Sequence, residues 1–365
     1  MLTLLVLATA LQIGVWLFVF RRALDPVTPA TPSPEDPVSV VICFQDEAGT
    51  LRACLTSVLG QDYPDFEVIA VDDNSTDDSA AIARELAATD ERLRLIPAGD
   101  TNPGKRDALA AGIAAARHER VVLTDADCTA ASPHWLARMS APLGGEDEVV
   151  LGCAPLRGGR GPLAAWQRFE ATYVALQYQG FARRGFPYMG VGRNLAYRQA
   201  FFRRAGAFAD RPPTAGGDDD LIVGFHSRAR HTARVTDPEA WTWSAPVATL
   251  GGYVRQKLRH QAVGLHYRTL HQVLLVGVAL SHGLFYLGGF TLLFTDRWEW
   301  ALLAYAARAL VVLATYLRGP VREFLGGGAG AVHILKIPVV LVGDLLYSVQ
   351  YLFLLAATFG NRQNW

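Results

Sequence analysis

Net charge is the first thing this sequence lacks: 34 basic residues are matched by 34 acidic ones over 365 positions. A protein gripping nucleic acid through its phosphates would carry a basic excess, so that class is set aside. Cysteine is scarce as well. Cys43, Cys54, Cys128 and Cys153 form no close pair and no metal-ligand spacing, which argues against a disulfide framework or zinc module and suits a reducing compartment. Basic residues are missing ahead of the first apolar run, where a cleaved secretory signal would place them. The chain is 51% hydrophobic with a mean hydropathy of +0.17, but unevenly so. Charge gathers between about 45 and 260 and leaves both ends apolar.

Those ends read as membrane segments. Residues 2–20 are apolar except for Thr3, Thr9 and Gln12, long enough to cross a bilayer. Arg21-Arg22 follows at once and by the positive-inside rule holds the next region in the cytoplasm. Five prolines between 25 and 37 make a stiff linker. Three further apolar runs cover 273–294, 301–317 and 334–359, with Arg308 inside the second and Lys336 and Asp344 inside the third. A carboxylate at membrane depth calls for a partner or a helix-end position, and Lys336 is the candidate partner. The loop Arg318-Gly319-Pro320-Val321-Arg322 is more basic than 295–299, which puts it on the cytoplasmic side with both termini outside. The expected division is an anchor at 1–22, a linker at 23–37, a charge-rich domain at 38–248, an interfacial segment at 249–270 and a membrane region of about three helices at 271–365, in an inner-membrane protein whose charge-rich domain is cytoplasmic.

Between the ends, strands alternate with helices. Apolar runs at 38–44, 66–71 and 93–96 and the strand ending at Leu123 are separated by helical patterns at 51–59, 79–88 and 104–117. This order predicts an α/β domain with a mostly parallel, Rossmann-like sheet covered on both faces. Ligands of such sheets bind at the carboxyl ends of the strands, and the polar clusters fall there. Phe44-Gln45-Asp46-Glu47 ends the first strand and Asp72-Asp73 the second, while Asn102-Pro103-Gly104-Lys105 opens a helix. The run Val121-Val122-Leu123 ends in Asp125-Ala126-Asp127, two carboxylates one residue apart. Positions i and i+2 of a strand share a face, so the pair can present hard oxygen ligands to Mg or Mn on a diphosphate. Singly, Asp46 or Asn74 reads as a helix cap and Lys105 as a surface charge. Together at one sheet edge they read as a site. An aromatic series at Trp166, Phe169, Tyr173, Leu176 and Phe181 has near-helical spacing and suits either a helix on the bilayer surface or a core helix under the catalytic sheet.

The stretch from Val38 to Ser79, with Val-Ile-Cys-Phe-Gln-Asp-Glu and Val-Asp-Asp-Asn-Ser-Thr-Asp-Asp-Ser, followed by Pro103-Gly104-Lys105 and Asp125-Ala126-Asp127, resembles the nucleotide-sugar half of the family 2 inverting glycosyltransferases of GT-A fold. Gly192-Arg193-Asn194-Leu195-Ala196-Tyr197 and Gly217-Asp218-Asp219-Asp220-Leu221 are similar to the acceptor-side motifs, and Gln256-Lys257-Leu258-Arg259-His260 to the Gln-x-x-Arg-Trp of membrane-bound members, of ceramide glucosyltransferase-like and polysaccharide synthase-like types. The resemblance implies a nucleotide-sugar donor, a UDP-sugar first, and a lipid or glycan acceptor at the membrane. It implies that Asp72, Asp73, Glu47 and Lys105 lie at the nucleotide, that Asp127 ligates the cation and that Asp125 orients the ribose or shares that ion. Asp218 or Asp219 would be the general base, with Asp220 also open because Gly217 stands where relatives carry an acid. Gln256 and Arg259 would cover the diphosphate, and Asn194 and His260 would lie on the acceptor side, His260 standing in place of Trp. A processive polysaccharide synthase and a non-catalytic nucleotide-sugar-binding membrane protein are the competing readings.

Overall fold

A computed structural model describes residues 1–27, 36–101, 105–206, 217–326 and 336–360. The chain divides into a sheet unit, Asp25–Arg157 with Gly185–Ala245, and a helical unit, Met1–Leu24 with Gly158–Arg184 and Pro246–Trp365.

In the sheet unit the strands are β1 (Val38–Phe44), β2 (Phe66–Asp72), β3 (Leu93–Pro97), β4 (Arg120–Leu123), β5 (Thr129–Ala130), β6 (Val149–Leu151), β7 (Leu195–Arg198), β8 (Thr232–Arg234) and β9 (Thr242–Trp243). The first four and three later ones form one sheet in the order β3-β2-β1-β4-β7-β6-β8, while β5 and β9 pair separately. β3, β2, β1 and β4 run parallel, and β7 enters antiparallel to both β4 and β6. β1 is buried at every position, which explains why it is apolar throughout except at Ser39, whose hydroxyl donates to Glu67 at 2.8 Å: both of its faces are covered. One face packs Val40, Ile42, Val68, Ala70 and Val122 against the helices at Leu51–Leu59 and Trp135–Ser140. The other meets the helix Arg106–Ala115 at Gly112, where an added Cβ would stand 2.5 Å from Val41. The expected strand ends are confirmed. In register, Phe44 lies beside Asp72 and Val41 beside Leu123, so the polar clusters that follow leave neighbouring strands at the same sheet edge.

The helical unit contains the helix Leu2–Val15, continuing in wider turns through Phe20, and those at Pro162–Arg183, Leu250–Gly264, Thr269–Leu292, Trp298–Tyr316, Gly319–Phe324 and Lys336–Gly360. Leu2–Phe20, Thr269–Leu292 and Trp298–Tyr316 are long and apolar enough to cross a membrane, whereas the apolar part found at Ile337–Gln350 is shorter. Large side chains such as Leu7, Phe18, Leu280, Phe290, Leu303 and Leu310 stand exposed on the three long helices, a surface that suits lipid rather than water. The aromatic helix Pro162–Arg183 is a core element of this helical unit, which corrects both sequence expectations for it: Phe169 and Tyr173 are buried with Trp16 and Phe20. An added Cβ on Gly180 would meet the Val19 carbonyl oxygen at 2.7 Å, so only glycine lets these two helices approach so closely.

Two polar clusters fasten the unit. Glu170 is buried and accepts from Tyr253 Oη, Lys257 Nζ and Gln350 Nε2, each at 2.8 Å. Deeper, Asp344 pairs with Arg308 through both carboxylate oxygens and accepts from Tyr286 Oη at 2.5 Å. Arg308 Nη2 also donates to Gln12 Oε1 at 2.9 Å, and Gln12 Nε2 to Ser281 Oγ at 2.7 Å. Among the described residues the partner of Asp344 is thus Arg308 on a different helix, while the side chain of Lys336 lies outside the described residues.

Candidate active site

At the sheet edge the first two loops are buttoned together. Asp46, held at a φ of 54°, accepts through Oδ1 from the backbone N–H of Thr76 at 2.7 Å and of Asp77 at 3.2 Å. In return Glu47 N donates to Ser79 Oγ at 2.7 Å and Ala48 N to Asp77 Oδ2 at 3.0 Å. The left-handed backbone at a non-glycine residue is kept by these bonds. Asp46 therefore braces a neighbouring loop and does not cap its own helix. Asp72 receives the Ser75 N–H at 3.0 Å and is used in its own turn. Asp73 is buried and accepts from Thr101 Oγ1 at 2.7 Å, so it is fixed at the bottom of the edge.

Beyond β4, Asp125 is ion-paired with Lys105. Burial works against the charge on Lys105, but Asp125 outweighs it and the amine is raised above its ordinary value. Asn102, Pro103 and Gly104, the rest of that expected cluster, lie outside the described residues. Asp127 is exposed, and Cys128 Sγ donates to it at 3.3 Å. Loss of hydration, then repulsion from Asp125, raises its pKa. Glu47 is raised too, by burial first and then by Asp127 and Asp125, while Thr50 Oγ1 donates to it at 2.7 Å and opposes the shift. Glu47, Asp125 and Asp127 thus form one field of negative charge with Lys105 set into it.

The turn Gly192–Asn194 closes the site from the far side. Gly192 N donates to Asp219 Oδ2 at 2.5 Å. The Arg193 carbonyl accepts from Thr124 Oγ1 and Thr242 Oγ1, both at 2.9 Å. Asn194 is fully buried: Nδ2 donates to the carbonyls of Cys153 and Ala240 at 2.7 Å, and Oδ1 accepts from Trp135 Nε1 at 3.0 Å. Its hydrogen-bonding groups are engaged inside the protein, so Asn194 holds the turn in place. The acids follow on the helix Asp218–His226, entered through Gly217 at a φ of 86°. Three carboxylates in a first turn are favoured by the helix dipole. Asp219 Oδ1 accepts the Asp220 N–H at 2.9 Å, which with Gly192 fixes its orientation. Burial first and then Asp218 push Asp219 up to about 7, against the pull of those two N–H groups.

Asp125 and Asp127 fit a divalent cation of a particular kind. Among the described residues no cluster of three or more His, Cys, Asp or Glu side chains forms a metal cage. Two carboxylates at a strand end suit Mg or Mn that takes its remaining oxygens from a bound diphosphate and water. The remaining sequence candidates, Gln256, Arg259 and His260, belong to the helical unit, on Leu250–Gly264. Sequence reading passed over Arg193, Gly192 and Thr124 as individual positions. Arg193 lay inside a quoted motif, and a basic residue there was the available signal.

A mostly parallel sheet with carboxylates gathered at the strand ends defines an α/β domain of GT-A type. Residues 39–206 match the family model described as Glycosyl transferase family 2. The chain is 32% identical over 186 residues to Glycosyltransferase AglE of Haloferax volcanii, covering 50% of this chain and 58% of that protein. It is 28% identical to an N-acetylglucosaminyltransferase of Mesorhizobium japonicum over 63% of this chain and 56% of the other. The matches thus span little more than half the length of these relatives. In fold it is similar to mannosyltransferase PcManGT from Pyrobaculum calidifontis, solved with GDP-Man and Mn2+, at a TM-score of 0.54 and 21% identity over 95% of this chain and 98% of that one.

Proposed function

We propose that this chain is a membrane-anchored inverting glycosyltransferase that moves a sugar from a nucleoside diphosphate sugar, a UDP-sugar in the first instance, to a lipid or membrane-proximal acceptor. The observation that carries the reading is the gathering of Glu47, Asp73, Asp125 and Asp127 at one sheet edge with an oriented Asp219 whose pKa lies near 7. Asp73 takes the nucleoside. Asp125 and Asp127 hold the cation, which when bound offsets charge on the diphosphate. Lys105 keeps Asp125 paired in the absence of that cation. Asp219 takes the proton of the acceptor hydroxyl, because a base with a pKa near the working pH is both available and strong enough, and Asp218 keeps it there by repulsion. A single displacement with one base inverts the anomeric centre, and no second carboxylate nucleophile is required.

The helical unit supplies the membrane anchor through Leu2–Phe20, Thr269–Leu292 and Trp298–Tyr316, with the sheet unit on the cytoplasmic side. The diphosphate and acceptor roles of Gln256, Arg259 and His260 belong to the same proposal. A relative named N-acetylglucosaminyltransferase and a structural neighbour bound to GDP-Man and Mn2+ lend it support. The test is release of nucleoside diphosphate by detergent-purified full chain across a panel of nucleotide sugars, with Mg or Mn and with added membrane lipid. Turnover of one donor that is lost on chelation and in Asp127→Asn is expected. Donor binding without turnover in every condition would overturn the catalytic reading in favour of a binding protein.

A further inference from the structure

Arg193 stands apart from the other half-buried arginines of the sheet unit. Arg94 is bonded to Glu67 and the Ala115 carbonyl, and Arg198 reaches the carbonyls of Leu143, Gly145 and Asp147. Arg193 has one side-chain bond, from Nη1 to Ser244 Oγ at 2.6 Å. Among the described residues its other guanidinium N–H groups meet no protein acceptor. An arginine carries five N–H donors in a rigid fork, and those that the protein leaves unmatched on half-buried Arg193 are available to a ligand.

Three features fix where that guanidinium is. The backbone of residue 193 is tied to Thr124, next to Asp125, and the residue before it is tied to Asp219. Its anchor Ser244 follows β9, which pairs antiparallel with β5 in the register Thr129 opposite Trp243 and Ala130 opposite Thr242. Continued by one pair, that register sets Ser244 opposite Cys128 and beside Asp127. A cation with free donors next to the carboxylate that would hold a metal is the arrangement that takes a phosphate bidentately.

We propose that Arg193 binds the diphosphate of the donor, on the Asp127 side of the site, and steadies the nucleoside diphosphate as it leaves the sugar. This rests on the reading of the sheet edge as a nucleotide-sugar site. Ser244 aims the fork.

The test is equilibrium binding of UDP, GDP, uridine and guanosine to the full detergent-purified chain, with Mn2+ and with a chelator. The unsubstituted protein should bind one diphosphate more tightly than its nucleoside. Arg193→Gln should weaken that diphosphate tenfold or more, with nucleoside binding unchanged, and Arg193→Lys should recover part of the loss. The effect should persist in chelator, which assigns it to the arginine and not to a displaced ion. Unchanged diphosphate affinity in Arg193→Gln would overturn the proposal, as would an equal loss for the nucleoside, which would make Arg193 a structural brace. If the unsubstituted protein binds none of the four, the nucleotide-sugar reading itself falls. Thermal unfolding of each variant, unchanged from the parent, keeps misfolding out of the comparison.

Discussion

Replacing Asp218 by Asn is the substitution that most directly probes the base. Asp219 rests at about 7, raised by burial and then by Asp218. At an effective dielectric of about 20, neighbouring carboxylates repel by a few kcal/mol at most, and partial screening by solvent leaves a displacement of about 1 on the pH scale. The assay is nucleoside diphosphate release at saturating donor between about pH 5.5 and 8.5. In the unsubstituted enzyme the rate should rise with pH and level above about 7, because the base must be deprotonated to accept the acceptor's proton. Asp218→Asn should keep turnover and bring that limb to a pH lower by about 1. Stability should run the other way. The folded state holds a proton on Asp219 that the unfolded chain, with its value of 3.8, has lost, so stability falls as pH climbs from about 4 to about 7 and is flat above. The substitution should shorten that window from its upper end. Complete loss of turnover in Asp218→Asn, with the pH dependence of stability intact, would make Asp218 the base; an unmoved limb would refute the repulsion argument itself.

Two further outcomes are expected. Arg308→Gln or Asp344→Asn should destabilise the helical unit by about 3 to 5 kcal/mol, since each leaves a buried charge without its partner, while Arg308→Met together with Asp344→Leu should recover most of the loss; thermal unfolding in detergent checks both, and single variants as stable as the parent would count against the pair. Asn194→Asp sets a carboxylate against the carbonyl oxygens of Cys153 and Ala240 in place of two N–H donors, and should cost about 3 kcal/mol or more in the sheet unit, read by amide exchange along β7 and β6.

The sheet was legible because burial on both faces writes itself into near-continuous apolar runs such as Val40-Val41-Ile42-Cys43-Phe44. The edge acids were legible because strand ends and helix starts carry distinct residue types. Arg193 was not, since its meaning depends on the pairing of Thr129 with Trp243, which no local pattern discloses. Asn194 looked like a ligand because a polar residue in a motif gives no hint that its bonds point inward. Nearness along the chain points from Asp344 to Lys336, but packing across helices brings it Arg308, 36 residues away. The helix Pro162–Arg183 interrupts the sheet unit in sequence, and its aromatic spacing could not say which unit it completes.

The bond between Gln12 and Arg308 joins residues 296 positions apart, and Asp344 follows Arg308 by 36. At a ribosome's pace of about 5 to 20 residues per second, the first helix waits about 15 to 60 s for Arg308 to be made, and Arg308 a further 2 to 7 s for Asp344. During the first wait the bilayer has only to accommodate an amide. During the second it faces an unmatched guanidinium, which Gln12 can already shield. The order in which the chain is synthesised thus brings the mild polar group first and the costly charge late, so that birth order itself shortens the most vulnerable moment of assembly.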